Sequence, residues 1–303
     1  MLNLIREIVD QAAQKLGLNE APQNVGPGRP RNSPDDEAKV VLMAQYFCLS
    51  NRVGQGYLLL FKEKLHLKNS FSYKTVERAY GDALVRRILE EVFRLTHEPV
   101  RELEHTFGPD GTGLSTSNKQ NYENDRRGGD THKGYEKMIV MVGCTYKLFS
   151  AFEFAQSAFD HESPYFESLL TQTKQNYSRI DLVGADSAYL SRHNCSLVKD
   201  VGAVARLYPK EGVMMRQDGS VAWRRMLLDL LHDPQKWLSE YHVRSNAETA
   251  FSTLKRDYPI PVRKKLPERK EQEVFSRVCN YNIKRLCYLN YLKQIKPMDT
   301  WIN

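Results

Sequence analysis

The sequence predicts an α/β fold: a mixed β-sheet flanked by helices, preceded by a small all-helical domain. Three observations predict it. Helical periodicity fills the first hundred residues. β-rich runs begin only after residue 104. Beyond about residue 137, short apolar strands alternate with amphipathic helical stretches, the order that lays helices on a sheet. With 303 residues, 41% of them hydrophobic, the chain has material for roughly two domains, read as 1–100 and 101–303.

Residues 1–20 read as a short amphipathic helix, without the long apolar core and cleavage site of a signal peptide. Ala21 to Pro34 is a Pro/Gly linker holding Gly28-Arg29-Pro30, which also suits an extended basic arm. A helix then starts sharply, with Ser33 as its cap, Pro34 in its first position and Asp35, Asp36 and Glu37 at the positive end of its dipole. Further helices are expected over Gly56–Leu67, Ser72–Tyr80 and Asp82–Thr96. Such a set reads either as a plain bundle or as a helix-turn-helix with Ser72–Tyr80 as its reading helix, presenting Lys74 and Arg78.

After His105 a short strand passes through Asp110, and residues 115–134 are a polar loop. Lys137–Tyr146 and Leu148–Gln156 form a β-hairpin pair. Helix, strand, helix and strand follow over Ser163–Thr173, Arg179–Ala185, Tyr189–Asp200 and Ala203–Tyr208. A small insertion occupies about 209–237. A helix covers Tyr241–Lys255, the Pro-containing run after Asp257 breaks it, and a basic helical tail covers Glu268–Leu292.

No run approaches the ~18 apolar residues that cross a bilayer. Cys48, Cys144, Cys195, Cys279 and Cys287 are scattered and read as reduced thiols, and the eight histidines show no ligand spacing. The net charge of +7 is concentrated. From residue 251 onward there are twelve Lys/Arg against five Asp/Glu, and the rest of the chain is balanced. This basic end, including Arg256, Arg263, Lys264 and Lys265, suits a polyanionic partner, though a charged tail also simply aids solubility.

In Tyr241-His-Val-Arg244-Ser-Asn-Ala-Glu248-(x6)-Lys255, a continuous helix would set Tyr241, Arg244, Glu248 and Lys255 at roughly 0°, 300°, 340° and 320°. One acid, two bases and a tyrosine would share a stripe. An Arg–Glu pair at this spacing is often only a solvated ion pair. Asp110 lies in Pro-Asp-Gly, an ordinary turn sequence, and Asp186 follows a strand, where Asp often caps a helix. Yet ligands of α/β folds collect at the carboxyl ends of strands. Three acids on a first strand, a later strand end and a packed helix are compatible with an oxygen-rich site for divalent cations.

Asp110-Gly-Thr-Gly-Leu-Ser, Val183-Gly-Ala-Asp186-Ser-Ala-Tyr189 and the Tyr241/Arg244/Glu248/Lys255 pattern resemble insertion-sequence transposases of the DDE type from bacteria or archaea, over about residues 105–290. The resemblance implies an RNase H-like catalytic domain. It also implies catalysis and metal binding by Asp110, Asp186 and Glu248, and two Mg²⁺ ions for which Mn²⁺ substitutes. Arg244 and Lys255 would contact DNA phosphate, and Tyr241 would position the strand. The implied activity is cleavage at the terminal inverted repeats of double-stranded DNA, followed by strand transfer, by a homodimer on DNA. A prokaryotic cytoplasm, at the nucleoid, is the implied location. The interval from Asp186 to Glu248 is too short for the large β-rich insertion of relatives that cut through a DNA hairpin. Trp223 and Trp237 in it suit either base stacking or packing. Two alternatives stand beside this reading: a transposase-derived DNA-binding protein without catalysis, and a related RNase H-like nuclease.

Overall fold

The computed structural model describes residues 1–20, 31–116, 135–216, 218–293 and 295. The Gly28-Arg29-Pro30 arm and residues 117–134 of the polar loop lie outside them. The chain forms two compact units: residues 1–99 with 257–303, and residues 100–256.

The first unit is helical: α1 (Leu2–Leu16), α2 (Pro34–Tyr46), α3 (Asn51–Phe61), α4 (Tyr73–Ala79), α5 (Ala83–Leu95) and α11 (Pro267–Lys293). Local sequence signals set several starts. Ser50, Ser72 and Asp82 accept hydrogen bonds from the first-turn N–H groups of α3, α4 and α5, as short polar caps do. Ser33 holds the cap position of α2 but does not cap with its side chain; its hydroxyl donates to Asp35 instead. In α1, Leu4, Ile5, Ile8, Val9, Ala12 and Ala13 are buried, the stripe of an amphipathic helix. The expected boundary at residue 100 put the C-terminal tail with the sheet. Instead α11 packs on α2 and α5, because Val274, Phe275, Val278, Cys279, Ile283, Leu286 and Leu289 give it a fully buried middle.

The second unit is a five-stranded mixed sheet flanked by helices, the RNase H-like architecture that the motifs implied. Its strands are β1 (Thr106–Ser115), β2 (Tyr135–Gly143), β3 (Phe149–Phe154), β4 (Leu182–Ala185) and β5 (Val204–Leu207), in spatial order β3-β2-β1-β4-β5. β1, β2 and β3 run antiparallel, while β4 and β5 run parallel to β1. α6 (Phe166–Asn176) packs on β3 and β2. α7 (Arg192–Asp200), α8 (Val221–His232) and α9 (Pro234–His242) pack against β5, and α9 also meets β4. The interval after β5 therefore holds two helices rather than β structure. α10 (Ser245–Asp257) closes the unit, setting Phe251 against Phe149 with ring centroids 5.7 Å apart. The five cysteines are free thiols. Among the described residues no helix is long and apolar enough to cross a membrane.

Candidate active site

Asp110 sits within β1, opposite Val140 of β2. Pro-Asp-Gly runs straight here because β2 pairs with β1 at every position from Phe107 to Ser115; a ladder of that length overrides a local turn preference. The Asp110 Oδ1 accepts the N–H of Gly111 at 3.0 Å. β4 lies beside β1 with Phe107 opposite Val183. Asp110 and Asp186 each follow that rung by three residues, so the parallel pairing starts both segments toward the same end of the sheet. Asp186 leaves the carboxyl end of β4 and caps the short turn Ser187–Tyr189, accepting the Ala188 N–H at 2.9 Å. Glu248 stands in the first turn of α10.

Arg244 joins the three acids. Its guanidinium nitrogens lie 3.9 Å from Asp110, 3.6 Å from Asp186 and 3.2 Å from Glu248. The Arg244 stem packs over Gly108 and Gly184, where an added Cβ would lie in ordinary contact with it at 3.6 Å; at Gly108 the close neighbour is instead the Gly184 carbonyl, 3.1 Å from such a Cβ. Burial pushes the Asp110 carboxyl up to about 6; Arg244 and the Gly111 N–H oppose that, and Glu162 and Asp186 reinforce it. Burial of Arg244 works against its charge, but Asp110, Tyr241, Asp186 and Glu248 together hold it above its ordinary value. The pocket thus concentrates negative charge around one cation.

Among the described residues, no three His, Cys, Asp or Glu side chains already stand as a metal cage; the acids surround the guanidinium. The donors still fit a hard divalent cation. They are all carboxylate oxygens, the Glu248 side chain is 61% exposed and can move, and their mutual repulsion is what an added cation would relieve.

The continuous helix expected over 241–255 is broken. α9 ends at His242, Val243 and Arg244 form a turn, and α10 begins at Ser245. Tyr241 therefore does not share a helical stripe with Glu248 and Lys255. Its ring stacks on Trp237 at 5.6 Å and meets Tyr208 at 5.0 Å. Lys255 and Arg256 are exposed on α10.

Three residues expected to touch DNA are inside the protein. Trp237 is 1% exposed, packed among Tyr208, Tyr241 and the Arg206 guanidinium. Trp223 is buried, donates to the Met214 carbonyl at 3.0 Å and lies under Arg192. Both are packing residues because their helices fold onto β5. Lys264 is buried and bonded to Glu77 and Asn51. Lys74 and Arg78 are exposed four residues apart on α4, and Arg263 and Lys265 are exposed in the helical unit. Glu162, beside Asp110, escaped the sequence reading: an acid before a helix looks like any helix start.

A family model described as a transposase DDE domain matches residues 109–283, a span that holds all three acids. A probable transposase for insertion sequence element ISA1214 from Archaeoglobus fulgidus is 28% identical over 277 residues, covering 90% of this chain and 80% of that protein. A cryo-EM structure of the piggyBac transposase synaptic complex with hairpin DNA aligns at a TM-score of 0.46 and 10% identity, over 96% of this chain and 73% of that one.

Proposed function

Because this chain belongs to the transposase DDE-domain family, we propose that it cuts DNA at the terminal inverted repeats of its insertion sequence and joins the freed ends to a target. The observation that carries this reading is the gathering of Asp110, Asp186 and Glu248 within 4 Å of one guanidinium, from a strand, a strand end and a helix.

In the first step a water oxygen attacks phosphorus and the 3′-oxygen leaves with a proton. In the second, the freed 3′-hydroxyl attacks a target phosphodiester and displaces its 3′-oxygen. Asp110, Asp186 and Glu248 would hold two Mg²⁺ ions, with Mn²⁺ as a substitute. Bound there, the ions would neutralise phosphate charge and make the attacking hydroxyl more acidic. Arg244, turning from the acids to a phosphate, would clamp it with two parallel hydrogen bonds. Tyr241 would position the strand, and Lys255 and Arg256 would add positive charge from α10. Lys74 and Arg78 of α4, with Arg263 and Lys265, would hold the repeat by its phosphates. Pairing of two ends calls for a homodimer.

The test uses the full chain, Mg²⁺ or Mn²⁺, and DNA carrying the repeats that flank its gene. Cleavage at the repeat ends that disappears in Asp186→Asn is the expected result. Metal-independent cleavage, or cleavage unchanged in Asp186→Asn, would overturn the reading.

A further inference from the structure

Glu162 holds the position before the short turn Ser163–Tyr165 that leads into α6 without capping it by its side chain, and its carboxylate touches three separate segments. On β2, Lys137 pairs with it at 3.0 Å and also donates to the Asp160 carbonyl at 2.8 Å. From the turn that Asp186 caps, the Tyr189 hydroxyl donates to it at 2.8 Å. On β1 it packs on the backbone of Gly111, the residue after Asp110, where any Cβ would overlap it. Tyr189 is itself rigid, its ring buried against Phe166 and its carbonyl held by Asn194 at 2.7 Å.

We propose that Glu162 is a positioning residue of the carboxylate site, a brace that sets the separation between Asp110 on β1 and Asp186 after β4. One end of the brace lies a single residue from Asp110; the other reaches Asp186 through Tyr189, three residues on. Sheet pairing alone does not fix that second acid, since β4 ends at Ala185. A carboxylate is also a poor choice for stability at this place. It is 17% exposed, it loses hydration, and it adds repulsion beside Asp110, whereas apolar packing would serve the fold as well or better. Groups behind metal ligands that fix their orientation set metal affinity, and Glu162 would do so through the Gly111 backbone and Tyr189 rather than by bonding either acid.

This inference rests on the metal-dependent reading above, and the experiment separates the two. Mn²⁺ is titrated into the full chain without DNA and followed by electron paramagnetic resonance, for wild type, Asp186→Asn, Glu162→Ala, Glu162→Gln, Tyr189→Phe and the double variant Glu162→Ala/Tyr189→Phe. Thermal melts confirm that each is folded. Wild type binds, and Asp186→Asn does not. Glu162→Ala weakens binding about ten-fold or more. Tyr189→Phe weakens it in the same direction, and the double variant is no worse than Glu162→Ala, because one brace has been cut twice. Glu162→Gln, which still accepts from Tyr189, retains most of the affinity. If wild type and Asp186→Asn behave as stated while Glu162→Ala binds as wild type does, the brace alone is overturned. Glu162→Gln as weak as Glu162→Ala, or additive losses in the double variant, overturns it too. Wild type that binds no Mn²⁺ overturns the metal-dependent reading, and the brace with it.

Discussion

The Lys264 ammonium stands 2.6 Å from Glu77 and 2.9 Å from Asn51, with the Tyr80 ring centroid 4.0 Å away. Burial alone would raise the Glu77 carboxyl, yet Lys264, Asn51 and Arg269 hold it below its ordinary value. Arg277, from the same basic end of the chain, is likewise internal: it pairs with Glu273 at 2.7 Å and binds the carbonyls of Ile260 and Pro261. Part of the C-terminal positive excess therefore cross-links the helical unit rather than facing a partner. Lys264→Ala is expected to lower stability by about 1 kcal/mol in urea unfolding, because it removes the bonds of a buried ammonium, while Glu77, 34% exposed, keeps Arg269. It should leave the salt dependence of DNA binding unchanged. Exposed Lys265 should behave oppositely. Lys265→Ala leaves stability unchanged and lowers the slope of log K against log salt by about 1 in gel-shift titrations. Equal slopes for wild type and Lys265→Ala would remove that residue from the DNA surface. The two lysines are adjacent in sequence and chemically identical, so only packing could tell them apart.

Among the elements, the turn joining β2 to β3 depends on a residue from outside it. Glu104 accepts the N–H groups of Thr145 at 2.8 Å and Tyr146 at 2.7 Å, and that of Thr106 at the start of β1 at 3.2 Å. It fits because Gly143 has no side chain; a Cβ there would lie 2.7 Å from the Glu104 Oε2. Gly143→Ala should therefore cost about 1–3 kcal/mol by displacing the carboxylate from its donors. Calorimetry should show the loss in the sheet unit, and an unchanged melting profile would refute this account. The hairpin of this meander was legible because uninterrupted apolar runs rich in β-branched residues, such as Met138–Val142, have lengths typical of buried strands. The break between α9 and α10 was not legible. Val243-Arg244-Ser245 contains neither Gly nor Pro, and the turn forms because α9 docks Trp237 against the sheet while α10 docks Phe251 and Leu254 elsewhere in the same unit.

On the scale of the whole molecule, the helical unit is built from both ends of the chain, and its stability should vary with pH through Glu37. Burial pushes that carboxyl up to about 7, with Asp82 and Asp36 adding to the effect and Asn32 and Arg31 opposing it. The folded state thus binds the proton more tightly than the unfolded chain, where an ordinary Glu titrates near 4.3. Glu37's contribution is fully present below the unfolded value and is lost as pH rises through about 7. Glu37→Gln should remove that slope and stabilise the unit at neutral pH by on the order of 1 kcal/mol, after discounting for partial exposure. Denaturant melts between acidic and neutral pH measure it, and an identical slope in the variant would exclude Glu37 as the source.

Residue type and periodicity by themselves determined the α/β class and most of the order of strands and helices, because these follow from local hydrophobic patterning; the three acids worth testing were singled out by the resemblance of the motifs that carry them. Tertiary structure alone decided that Arg244 sits among those acids, that Glu162 stands behind them, and that Lys264, Trp223 and Trp237 are internal. Each of those facts depends on which distant segment arrives alongside: β4 beside β1, α11 against α2, Tyr189 against Glu162. Proximity across the chain is a property of packing, and no single stretch of sequence contains it.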